Sequence, residues 1–405
     1  MSSHRRRFLG FPFMFVLACS SDPQDSSSGD AAVEAGATDA AQASDVVLGT
    51  DGPLLQDGGG TAPADASTDG GPLCTTVGWC RLTGTKLTSV QPSPLPEGTF
   101  AQLVGAWSGG AADVERNRLY VWGGGHADYS GNEVYALDLD PVKFRRLNQP
   151  SPDSAHTACD ALYSDGLPSS RHSYDGLTFL PATNELYAFG GSKWKCGFTA
   201  SDVLRFSVPS LQWSQRIAAM PGVLNGPGYM ADFDAASGKI FLHDAGQGFS
   251  SYDPATNSVK VLSSGAVDYH MTGRIDPVRK LFVMMGGGEV RVVSLANGTN
   301  YAVQDWDNQT TGCSALRDAP YPGLAFDTSS GVLVGWVGGG DVYKFDPTTK
   351  TCTKVTFPGG PPNATSSSAA QPNGTMGRFR YFPKLKVFAV INSVDEDAFT
   401  LRIGP

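Results

Sequence analysis

The chain has 405 residues, 49 of them Gly and 27 Pro, with a formal net charge of −9 and 40% hydrophobic residues. Many glycines and prolines with few long helical apolar patterns exclude a helical bundle and point to short strands joined by tight turns. The acidity is local: residues 20–72 hold ten Asp or Glu and no Lys or Arg, and residues 73–405 carry 27 basic against 29 acidic residues. No basic run or stripe marks that larger part as a nucleic-acid binder.

Residues 1–19 combine Arg5-Arg6-Arg7, an apolar run from Phe8 to Ala18, and Cys19. That is the layout of a signal peptide, too short for a membrane span. Val16-Leu17-Ala18-Cys19 resembles a bacterial lipobox, which implies acylation of Cys19 and attachment to the cell envelope by a lipid anchor only, in the periplasm or at the outer-membrane surface. The arginines fit a general or a twin-arginine export signal. Residues 20–72, built from Ser, Asp, Ala, Gly, Pro and Thr, bury too little to offset their ordering entropy and are expected to be a disordered, self-repelling tether. The globular part is therefore expected over 73–405.

From residue 100 a pattern recurs about every 40 to 65 residues, the signature of a propeller or solenoid. Arg118-Leu119-Tyr120-Val121-Trp122-Gly123-Gly124 is matched by Glu185-Leu186-Tyr187-Ala188-Phe189-Gly190-Gly191 and by Lys280-Leu281-Phe282-Val283-Met284-Met285-Gly286-Gly287. Lys239–His243, Val332–Gly339 and Lys386–Val390 fill the same slot. A turn with Asp or Pro precedes each, a third strand follows (Val134–Asp138, Val203–Phe206, Val342–Asp346), and outer strands carry Phe144 or Trp213. These repeats resemble the Kelch family of β-propellers, the type found at the centre of galactose oxidase, and imply an all-β, six-bladed propeller. The last copy stops after its third strand at Ala398–Ile403, so residues 79–90 are expected to close blade six from the N-terminal side.

Six cysteines besides Cys19 make an even set in an exported chain, read as three disulfides: Cys74 with Cys80, Cys159 with Cys196 and Cys313 with Cys352. No CxxC or His-rich spacing suggests a metal, and with the cysteines so committed a crosslinked copper site is not expected. No cofactor is expected.

In a four-stranded blade, the loop between the second and third strands shares one end with the loop entering the first. That face should gather His126, Tyr129, Lys193, Trp194 and Lys195 from the former set, and His172, Tyr174, Tyr229, Tyr269, His270, Arg274, Tyr321 and Arg378 from the latter. Rings interleaved with cations suit a glycan, the rings stacking on sugar faces and the cations meeting carboxylates. The first reading is binding of a glycan or other extracellular polymer without chemistry. An alternative is β-elimination from a uronate polysaccharide, with His126, His172, Tyr229, His270 and Arg378 as the catalytic set and the others binding. A third is a protein-interaction scaffold. Partners would be an acidic polysaccharide or an envelope protein, and the chain is expected to be a monomer.

Overall fold

In a computed structural model, residues 46–47, 67–217, 226, 228–296, 298–361 and 374–405 are described. They form a six-bladed β-propeller. Cys19 and the expected signal peptide lie outside the described residues, as does most of the expected tether. Among the described residues no helix is long and apolar enough to cross a membrane.

The blades span residues 110–146, 177–217, 229–264, 271–305, 323–356 and 379–402, each an antiparallel meander. Their innermost strands, Gly110–Asp113, Leu177–Leu180, Tyr229–Asp234, Met271–Asp276, Gly323–Asp327 and Phe379–Phe382, touch in a closed ring, the last against the first.

The second strands read as near-continuous apolar runs because both sheet faces are covered by neighbouring blades. In blade three, Ile240 and Leu242 join the core shared with blade two, while Phe241 points into the core shared with blade four. Six such cores, one per interface, hold the ring.

The turns from first to second strand follow one rule. Asp113 Oδ1 accepts the Glu115 and Arg116 N–H groups, and Asp276 Oδ1 those of Val278 and Arg279. Four residues after each Asp the chain turns left-handed at Asn117 (φ 55°) or Lys280 (φ 54°), with Gly238 and Gly331 in the matching slots. An Asx turn followed by a left-handed residue explains the recurrent Asp, and why Gly or Asn so often follows it.

Blade six takes its outer strand from Gly78–Arg81, which pairs with Phe399–Arg402 in the register Trp79↔Leu401. The strand is shorter than the expected 79–90. After Arg81 the chain leaves the sheet at Gly84 (φ 86°), and Leu82, Leu87 and Val90 pack into the core between blades six and one. Asp397 fastens this exit by accepting from Arg81 Nε and the Gly84 and Thr85 N–H groups at 2.9–3.0 Å. Two short strands from the expected tether also pair with the propeller: Val46–Val47 on the outer strand of blade three and Ser67–Asp69 on that of blade one.

The three disulfides pair as expected: Cys74–Cys80, Cys159–Cys196 and Cys313–Cys352. They agree with an exported protein.

Candidate functional site

The blade-one loop is shaped by three consecutive residues of positive φ: Gly124 (117°), Gly125 (75°) and His126 (46°). A Cβ on Gly125 would lie 2.4 Å from the Arg171 Cα, so only glycine lets this loop rest against blade two. The Gly125 N–H donates to Tyr129 O at 2.9 Å and the Asp128 N–H to Gly125 O at 2.9 Å, closing a turn that presents His126 and Asp128. The His126 N–H donates to Lys193 O, and the Lys195 N–H to His126 O, which ties the loops of blades one and two together.

Four non-glycine residues entering the first strands share a left-handed backbone: Trp107 (49°), Tyr174 (46°), Tyr321 (49°) and Met376 (50°). Such residues are uncommon and persist only where surroundings hold them. Here backbone hydrogen bonds run from blade to blade: Tyr174 N–H to Trp107 O at 2.6 Å, Asp175 N–H to Tyr229 O at 3.1 Å, and Tyr321 N–H to His270 O at 2.6 Å. Of these four, Trp107 is half-buried while Tyr174, Tyr321 and Met376 are buried, so three rings line the mouth of the central channel largely beneath its surface.

On one side of this rim the His172 ring lies 4.9 Å from Trp107, 5.5 Å from His126 and 6.0 Å from Tyr174, centroid to centroid. Its Nε2 bonds Asp128 Oδ2 at 2.7 Å. Burial pushes the His172 pKa down, and Asp128 opposes this. A neutral ring whose Nε2–H donates a hydrogen bond to Asp128 keeps a lone pair at Nδ1, the form of a general base. On the other side the Tyr269 and His270 rings lie 3.7 Å apart, centroid to centroid and tilted by 38°, His270 lies 5.1 Å from Tyr321, and His270 Nδ1 bonds Asp268 Oδ1 at 2.6 Å. His126 and Tyr269 are exposed, and Lys195 extends over the Trp194 ring at 5.3 Å while its ammonium meets Glu97 at 2.8 Å.

Other expected site residues lie inside the fold. Tyr129 is fully buried and donates to Glu133 Oε1 at 2.5 Å. Tyr229 is 1% exposed and packs on Tyr174, and Trp194 is buried beside Tyr163. Arg378 is 1% exposed and gives its donors to the carbonyls of Ser108, Ile391 and Gly374 at 2.6–2.9 Å. Burial without a carboxylate partner pulls its pKa down to about 9. Arg274 sits deeper in the channel, paired with both oxygens of Asp175 at 2.7 and 2.8 Å. Lys193 is half-buried next to the loop junction.

Three residues of the rim escaped the sequence reading: Trp107, Asp128 and Asp268. Each had a signal. Trp107 occupies the repeat slot of Tyr174 and Tyr321, and the two carboxylates stand two residues from a His, in His126-Ala127-Asp128 and Asp268-Tyr269-His270.

No family model matches the chain, and no curated protein does. Among solved structures it is similar to a Bacteroides thetaiotaomicron structural-genomics protein of unknown function, with 11% identity, 83% of this chain and 76% of that one covered, and TM-score 0.48. It is also similar to YjhT (13%, 77% and 95%, TM-score 0.45) and to TolB from Acinetobacter baumannii (11%, 62% and 55%, TM-score 0.40). Likenesses at this level say nothing of activity.

Proposed function

We propose that this chain is an exported, lipid-anchored propeller of Kelch type that binds a glycan or other extracellular polymer at the rimmed end of its channel. The observation that carries the reading is the rim itself: two His–carboxylate pairs and a run of Trp and Tyr rings from four blades, with His126, Tyr269 and Lys195 open to solvent. Tyr269 and the half-buried Trp107 are the rings open to a sugar face, and Lys193 with Lys195 are the cations that would meet an acidic polymer. Binding of the full-length chain to immobilised polygalacturonate, alginate and a neutral glucan tests it. Tyr269→Ala should weaken retention on the acidic polymers roughly fivefold, the loss of about 1 kcal/mol of ring contact. Equal, weak retention on all three matrices would point to the protein-interaction scaffold instead.

The His172–Asp128 pair favours a second reading, a lyase. A neutral His172 could take the C5 proton of a uronate as the C4–oxygen bond breaks, leaving a C4=C5 double bond, while the departing oxygen takes a proton from water to leave as an alcohol. Arg274 and Arg378 hold internal partners, so neutralising the substrate carboxylate would fall to Lys193 or Lys195. Rising ultraviolet absorbance from the unsaturated product, lost in His172→Ala, would establish chemistry; a flat trace with binding retained would leave the binding reading.

A further inference from the structure

The channel has a second feature at its other end, where the innermost strands turn toward their neighbours. There a cavity of about 300 Å³ opens between the blades, at the small end of ligand-site volumes. Phe179, Phe233 and Phe326 supply apolar wall, while Arg274, Arg380, Asp232 and Glu115 supply charge, Glu115 being paired with Lys384 at 2.9 Å.

The two ion pairs differ in how tightly they are held. Arg274, 2% exposed, satisfies Asp175 with its two terminal nitrogens and leaves Nε without a hydrogen-bond partner among the described residues. Arg380, 7% exposed, donates from Nε to Gly377 O at 3.1 Å and from one terminal nitrogen to Gly110 O at 3.2 Å. Its other terminal nitrogen stands 3.6 Å from Asp232 Oδ1, beyond a hydrogen bond, and Asp232 Oδ2 already accepts the Ile275 N–H at 2.9 Å. Arg380 thus has Asp232 as a loose ion-pair partner and keeps one terminal nitrogen without a hydrogen bond among the described residues. In keeping with this, burial and the nearby Arg274 pull the Arg380 pKa down to about 10.

We propose that this cavity binds a small organic carboxylate, its anionic end on Arg380 and its apolar or ring body against Phe179, Phe233 and Phe326. A planar monoanion fits better than phosphate. It meets a guanidinium side-on and can accept from the terminal nitrogen that Asp232 holds only loosely, whereas a dianion would be repelled more strongly by Asp232 and Glu115. The site lies at the opposite end from the rim and stands or falls independently of the polymer reading.

Calorimetric titration of the full-length protein with benzoate, and with benzamide as its uncharged analogue, tests the assignment. Benzoate should bind saturably and benzamide at least about tenfold more weakly, as expected when a charge-assisted hydrogen bond is lost. Arg380→Gln should weaken benzoate by a similar factor. Asp232→Asn should strengthen it, because the amide still accepts from Ile275 while the competing charge is gone; a variant that acted only through folding would not raise affinity. No benzoate binding, equal binding of benzamide, or weaker binding in Asp232→Asn would each overturn the proposal.

Discussion

Replacing His243 by Leu should make the propeller more resistant to acid. His243 lies in the second strand of blade three, opposite Met230 and Phe249, and faces the core shared with blade four. It is fully buried, and neither ring nitrogen has a well-formed hydrogen bond among the described residues. Burial pushes its pKa down to about 4, with only weak opposition from the Asp244 backbone. The native state therefore keeps the ring neutral while the unfolded chain, with a value near 6.5, takes up a proton first as pH falls. Stability from this group is intact above about pH 6.5, declines between about 6.5 and 4, and stays low beneath that. From these two values the loss between about pH 7.5 and pH 5 is about 2 kcal/mol, approaching about 3 kcal/mol at the acid limit. Leucine titrates nowhere and matches its apolar neighbours, and it also removes two orphaned ring nitrogens that cost about 1–3 kcal/mol while unsatisfied. Urea unfolding followed by tryptophan fluorescence, with the disulfides intact, gives both stabilities at each pH. The gap between variant and wild type should widen by about 2 kcal/mol on acidification. A gap that stays constant would refute the buried, neutral histidine.

Arg378→Gln should cost about 3 kcal/mol, read as a lower urea midpoint, because it strands the carbonyls of Ser108, Ile391 and Gly374 in the ring's interior. Gly125→Ala should displace the His126 loop, since its Cβ would meet the Arg171 backbone at 2.4 Å; polymer retention should fall more than global stability, as compared by pull-down and unfolding. Deleting residues 74–82 should leave the Phe399–Arg402 strand an open edge and turn a monomeric elution profile into self-association.

The blades were legible because the same physics repeats: an apolar run with both faces covered, then an Asx turn, then glycines where backbones crowd. The disulfides followed from parity and from where the cysteines fell among the repeats. Side-chain direction at the rim was far less legible. Arg274 lies three residues into its strand, below the face, where it meets an Asp from two blades away in the ring; nothing local to Arg274 announces Asp175. Tyr129 and Arg378 belong to the right loops but turn inward, since a buried carboxylate (Glu133) and three stranded carbonyls claim them. Asp128 and Asp268 could have been found by asking what orients each histidine rather than which residues are chemically striking alone.

The clasp in blade six sets the order in which the molecule can be finished. Arg81 and Asp397, which brace it, are 316 residues apart in the chain, so one of the earliest strands made must wait for nearly the last. Ring closure thus waits on the last blade, because without Phe399–Arg402 the strand Gly78–Arg81 has no mate. The same clasp makes residues 78–81 and 397–402 one mechanical element, and a pull that reaches Cys74 passes through the Cys74–Cys80 disulfide straight into the strand, bypassing the rung between Gly78 and Arg402.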